Sequence, residues 1–161
     1  MIFSTRACLS RLAERLAPLA QFRRPLEVAL LARVVTVGMT VPLLMRLPLP
    51  RLAAVLAATT GRANGTRVPS EAEAERMAAC VRAVQRALSP VVRSGCVTRG
   101  VTLYWLLRRA GAPVELCFGM GRPGEDLVGH CWLVRDGLPY LEPADSPTGF
   151  DALYRIPPPQ P

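Results

Sequence analysis

Ser94-Gly95-Cys96-Val97-Thr98-Arg99-Gly100-Val101-Thr102-Leu103-Tyr104-Trp105-Leu106-Leu107-Arg108-Arg109 puts a cysteine at the start of an apolar helical run, with Ser94 as its expected cap and Gly111 as its stop. A free thiol titrates near pH ~8.5, and the unpaired amides and dipole at a helix start favour its thiolate form. Cys96 is therefore placed to act as a nucleophile. Structural burial is the commoner fate of a cysteine. The Ser94-Gly95 lead-in and a partner histidine further along tip the reading toward chemistry.

That partner is His130, the only histidine, in the alternating stretch His130-Cys131-Trp132-Leu133-Val134. General acid/base work near neutral pH falls to it. The following Arg135-Asp136-Gly137 suits a three-residue hairpin loop, in which Val134 faces Leu138, Trp132 faces Tyr140 and His130 faces Glu142. A carboxylate opposite the imidazole completes a Cys96/His130/Glu142 triad. A two-residue Asp136-Gly137 loop would instead pair Glu142 with Cys131 and turn it to the other face, which makes Asp145 the reserve for the third position. A zinc site from Cys96, Cys117, His130 and Cys131 is disfavoured, because no pair has ligand spacing and adjacent strand residues diverge.

With 161 residues the chain suits one domain. Its net charge of +8 is N-terminal: residues 1–67 carry ten Arg against Glu14 and Glu27, while residues 68–161 carry ten Arg against ten acids. All twenty basic residues are Arg, which reads as compositional bias. A basic third could meet nucleic acid, an anionic membrane or an acidic protein. Without aromatic interleaving, zinc-finger spacing or a helix-turn-helix pattern, nucleic acid is not expected. Cys8, Cys80, Cys96, Cys117 and Cys131 form no CxxC pair and leave one unpaired in any full disulfide scheme, so a reducing, cytoplasmic compartment is expected.

Leucines 9, 12, 16 and 19 predict an amphipathic helix over residues 2–20, and residues 26–46 a more apolar one stopped or kinked at Pro42. The apolar run from Val34 to Met45 holds twelve residues, short of the ~20 that cross a bilayer. Met1 to Arg24 lacks the apolar centre of a secretory signal. A peripheral contact at the inner face of the membrane remains compatible with the basic helices. Leu52 to Ala58 reads as a short helix, and Gly61 to Thr66 as a boundary between a basic helical segment (1–67) and a chemical domain (68–156), with a Pro-rich tail (157–161). Ser70 and Glu73 form a capping box that opens a helix over 70–88, in which Cys80 is packing. Val114 to Phe118 and His130 to Val134 read as strands, joined by a Gly/Pro-rich loop from Gly119 to Gly129.

In order and spacing, Cys96, Arg99, Leu103, Leu106-Leu107-Arg108-Arg109, Gly111, Val114 to Gly119, His130-Cys131-Trp132, Asp136-Gly137 and Glu142 resemble the transglutaminase-like cysteine peptidases of lasso-peptide biosynthesis. Those enzymes usually have Asp at the position of Glu142 and Ala at that of Cys131. The resemblance covers about residues 70 to 155. It implies an α+β, papain/transglutaminase-like core, in which the helix bearing the nucleophile packs on an antiparallel sheet, preceded here by the helical segment. It also implies leader removal from a ribosomal precursor peptide through a thioester, with Cys96 as nucleophile, His130 as base and Glu142 as orienting acid. No cofactor or metal is implied. The amides of Gly95, Cys96 and Val97, unpaired at a helix start, are candidate oxyanion donors. Residues 1–67 lack the strands of the winged-helix module that captures the leader, so a separate winged-helix recognition protein, the precursor and a lasso cyclase are the expected partners. An amidase or acyltransferase acting on another peptide, and a non-catalytic scaffold docking peptide or membrane, are the alternatives.

Overall fold

The computed structural model describes residues 14–61, 67–89, 91–122, 125–143, 146 and 149–157. Most of the helix expected over residues 2–20 lies outside them, as do Cys8 and Asp145. Residues 14–16 are helical and pass into a 3-10 turn at Ala17–Leu19. Four helices follow: α1 (Pro25–Leu44), α2 (Leu49–Thr60), α3 (Glu71–Ala87) and α4 (Cys96–Arg109). An antiparallel sheet completes the fold, with β1 (Glu115–Gly121), β2 (Val128–Arg135), β3 (Leu138–Tyr140) and β4 (Phe150–Ile156) in the order β3-β2-β1-β4.

Helix α1 opens with Pro25 in its first turn, where a missing N–H costs nothing, and the Glu27 carboxylate accepts the Arg24 amide at 3.1 Å. It runs through Pro42 to Leu44 and is not stopped there. Only two helical residues follow the proline, and Met45 N–H still closes onto Val41 O at 2.9 Å, so little of the ladder is lost. At 20 residues and a mean hydropathy of 1.7, α1 has the length and apolarity of a membrane span, which the twelve-residue reading of its sequence understated. In this fold its Val34, Gly38 and Val41 are buried within the protein, and a Cβ on Gly38 would lie 3.0 Å from Val92.

Helix α2 is longer than Leu52–Ala58 because Pro50 falls in its first turn. In α3 the expected capping box is present: Ser70 Oγ accepts Glu73 N–H at 3.3 Å and the Glu73 carboxylate accepts Ser70 N–H at 2.7 Å. One hydrophobic core joins Val34 and Val41 of α1, Leu52 and Leu56 of α2, Cys80, Val81 and Val84 of α3, and Val101 and Leu107 of α4 to Leu116 and Leu133 of the sheet. It therefore draws on residues from both sides of the Gly61–Thr66 stretch.

The hairpin between β2 and β3 departs from expectation. Arg135 pairs with Leu138, Val134 with Pro139 and Leu133 with Tyr140, so the loop is the two-residue Asp136-Gly137 turn. Both turn residues have positive φ, 52° and 81°, the geometry whose twist matches paired strands. Strand β4 was not expected from the sequence. It pairs antiparallel with β1 across a register shift at Phe118/Gly119.

Candidate active site

Helix α4 packs on one face of the sheet, with Gly100 at a close approach between the two. A Cβ there would lie 2.8 Å from Cys131 Sγ and 3.2 Å from Leu116 Cδ1. Cys131 and Leu133 thus face α4, while His130 and Trp132 alternate to the other face. The His130 ring stacks on Trp132, with centroids 5.6 Å apart and planes 12° apart, and sits 4.9 Å from the Phe150 ring. These two aromatics from β2 and β4 leave its side chain only 10% exposed.

Glu142 reaches this histidine by a route the hairpin register did not predict. With a two-residue loop, a continued β3 would set Glu142 opposite Cys131. Strand β3 instead ends at Tyr140, and Leu141 turns the chain at φ +56°, a conformation few non-glycine residues adopt. Glu142 Oε2 then lies 3.1 Å from His130 Nε2. The same carboxylate accepts Arg99 Nη2 at 2.8 Å on each oxygen and Ser146 Oγ at 2.8 Å. A carboxylate holding two other donors can only accept, so the proton is assigned to His130 Nε2. Nδ1 is left as the basic nitrogen.

Arg99 comes from α4, one turn after Cys96, and its side chain is 12% exposed. It ties the helix that begins at Cys96 to the carboxylate that meets His130. The charged network Arg99–Glu142–His130 is where the two parts of the sequence motif meet. Asp145, the reserve acid, lies outside the described residues.

Cys96 is the first residue of α4. The cap is Gly95, not Ser94, and no side chain caps the helix. Gly95 takes φ 148° and ψ 163°, a region only glycine visits at low cost. Ser94 would fill the cap position only if the helix began one residue earlier. Arg99 N–H is the first helical amide to find a carbonyl, that of Gly95 at 3.1 Å, which leaves the amides of Cys96 and Val97 free to donate. Gln85, buried on α3, donates from Nε2 to Gly95 O at 3.3 Å and to Arg93 O at 3.5 Å, fixing the segment that leads into the thiol.

Burial separates the cysteines. It pushes the Cys80 thiol up to about 11, and raises Cys117 and, much further, Cys131. Cys96 and Glu142 add smaller upward pushes on Cys131, and Arg99 opposes them, so all three lie near the residue next to His130. Cys96 alone of the four described cysteines is not fully buried. No hydrogen bond joins Cys96 to His130 among the described residues. In an unliganded site such a bond is commonly long and tightens in the substrate complex. No three His, Cys, Asp or Glu side chains converge as metal ligands among the described residues.

Sequence reading did not single out Ser146 or Gln85, and it placed Arg99 in the motif without a role. Only Arg99 carried a signal, its position one helical turn from Cys96. The two others depend on loop paths.

Residues 37–155 match the transglutaminase-like superfamily, and the chain belongs to it. The mixed helix and antiparallel-sheet architecture is that of a transglutaminase-like α+β core. The match begins inside α1, so it takes in the end of α1 and all of α2 as well as the motif-bearing part. Neither the curated proteins nor the solved structures gave a match.

Proposed function

We propose that this protein is a cysteine peptidase that removes the leader from a ribosomally made lasso-peptide precursor. Membership of the superfamily supports cysteine-dependent peptidase or acyl-transfer chemistry. The finer assignment rests on the order of motifs from Cys96 to Glu142. The observation that carries the chemistry is the Nε2 contact between His130 and Glu142, which leaves Nδ1 as base and rests on a carboxylate that Arg99 ties to the helix opening on Cys96.

In this reading His130 Nδ1 takes the Cys96 proton and the thiolate attacks the scissile carbonyl carbon. The oxyanion forms where the Cys96 and Val97 amides can donate. Collapse breaks the C–N bond, and the leaving amine takes its proton from His130. Water, deprotonated by the same nitrogen, then hydrolyses the thioester and regenerates the thiol. Arg99 and Glu142 hold the imidazole and do not exchange protons with substrate. The precursor, a separate winged-helix recognition protein and a lasso cyclase are the proposed partners, and the proposed site of action is the cytoplasm or the inner membrane surface.

The test is mass spectrometry of precursor incubated with this protein and the proposed recognition protein. Cys96→Ala and His130→Ala are each expected to abolish leader removal with the fold retained, whereas Cys80→Ala leaves the chemistry unchanged. Turnover by Cys96→Ala at the wild-type rate would sink the assignment.

A further inference from the structure

Beside the lead-in to Cys96 lies a pocket of about 350 Å³, bounded by Arg82, Gln85, Arg86, Ser89, Ser94 and Arg99. No carboxylate lines it among the described residues. Arg82 and Arg86, successive turns of α3, make no ion pair among the described residues, and Arg15 extends the basic rim by donating to Ser89 O at 3.4 Å. Arg99 has spent its Nη2 on Glu142, yet its Nε–H is buried without an acceptor among the described residues. Two serine hydroxyls and the Gln85 amide supply neutral polar atoms beside these cations. A pocket with concentrated positive charge and unspent donors favours an anion.

Its place gives it a meaning. Ser94 is two residues from Cys96, a span of at most about 7 Å of backbone. Gln85 is hydrogen-bonded to Gly95 O. Whatever occupies the pocket is therefore within a few residues of a bond under attack by Cys96. We infer that this pocket is a substrate subsite for a peptide carboxylate, an Asp or Glu side chain one to three positions from the scissile bond. The assignment rests on the reading of Cys96 as nucleophile.

The test compares alkylation of Cys96 in the full chain by iodoacetate and by iodoacetamide, followed by mass spectrometry of the Cys96 peptide. The two reagents differ chiefly in charge, so the ratio of their rates reports anion enrichment at the thiol and cancels any change in thiol ionisation. The expected ratio for Cys96 exceeds that of glutathione. It falls about five- to tenfold in Arg82→Glu/Arg86→Glu and on raising salt from about 0.1 M to 1 M. Arg82→Lys/Arg86→Lys keeps it, and so does Arg33→Glu on α1. Should the double reversal not fold, the single exposed change Arg86→Glu carries the comparison. A ratio equal in wild type and reversal variants overturns the subsite. Slow reaction with both reagents would count against an activated Cys96, yet the ratio would still decide the subsite. Among peptides cut in a Cys96-dependent way, the subsite predicts that Glu is favoured over Gln near the cut and Lys replaces it in the reversal variant. A preference that follows only a free C-terminus, lost on amidation, would overturn the side-chain assignment.

Discussion

Glu142→Gln tests the network most directly. The substitution keeps size and one acceptor oxygen but replaces the other with an NH2 that opposes Arg99 and His130. Arg99, 12% exposed, would lose the one carboxylate that pairs with it among the described residues, since Glu142 meets it at 2.8 Å through both oxygens. Removing one partner of a buried pair costs about 3–5 kcal/mol, and partial solvent access puts this pair at the lower end, about 3 kcal/mol. With a urea dependence of about 2 kcal/mol/M for a domain of this size, the unfolding midpoint should drop by about 1.5 M. Catalysis suffers separately. Without a charged acceptor at Nε2 the imidazole loses what fixes its tautomer and stabilises its protonated form, and kcat should fall by about 10³ or more at temperatures where the variant remains folded. Arg99→Gln leaves the carboxylate on His130, so it should cost stability with a smaller loss in kcat. The double variant should recover about 2 kcal/mol relative to the sum of the single changes, because neither charge is then stranded. Strict additivity in urea titrations, or near-normal kcat in Glu142→Gln, would refute the reasoning.

Gly95→Ala forces a Cβ into φ 148° and should cost about 1–3 kcal/mol by thermal melting, even though no atom lies within 4 Å of the added carbon; the same change should displace Cys96 and slow its alkylation. Cys80 holds its proton in the fold up to about pH 11, whereas an unfolded thiol loses it near ~8.5. Its contribution to stability is therefore complete below about pH 8.5 and is lost as pH rises toward 11, by up to about 1.4 kcal/mol per pH unit; Cys117 and Cys131 act in the same direction, and urea midpoints at pH 8 and pH 10 measure the sum. Deletion of residues 1–67 should abolish cooperative unfolding by calorimetry, because Val34, Val41, Leu52 and Leu56 are each at most 1% exposed and belong to the same core as α4.

The helices were legible because their signals are local. Ser70 and Glu73 mark a start within four residues, Gly111 at φ 91° marks a stop, and Cys96 to Arg109 carries its apolar period between them. The alternation in β1 and β2 was equally local. Strand β4 escaped because its exposure does not alternate: Asp151, Ala152 and Leu153 are exposed in succession, and the register shift at Phe118/Gly119 breaks the period that would have revealed it. Helix α1 through Pro42 was misjudged for a related reason. A proline near a helix end is harmless only if the end is near, and its distance from the end depends on packing.

The third member of the site shows how a right contact can follow from a wrong register. Spacing alone offers two hairpins, and Arg135-Asp136-Gly137 suits the three-residue one, a type I turn with Gly in the left-handed position, which sets Glu142 opposite His130. The chain forms the two-residue turn, since Asp136 and Gly137 both accept positive φ and that turn twists with its strands. Taken alone, this register would have sent Glu142 to the Cys131 face. What restores the contact is Leu141 at φ +56°, a departure from strand geometry that costs of order 1–2 kcal/mol for a residue with a branched side chain. No composition rule flags a leucine for that role. The strain is offset where it ends: the turned backbone delivers one carboxylate to Arg99, Ser146 and His130 together, three donors from three separate parts of the chain. A straight β3 would have paired one more residue and left both the cation and the imidazole without their acceptor, so the turn at Leu141 belongs to the site as much as the carboxylate that follows it.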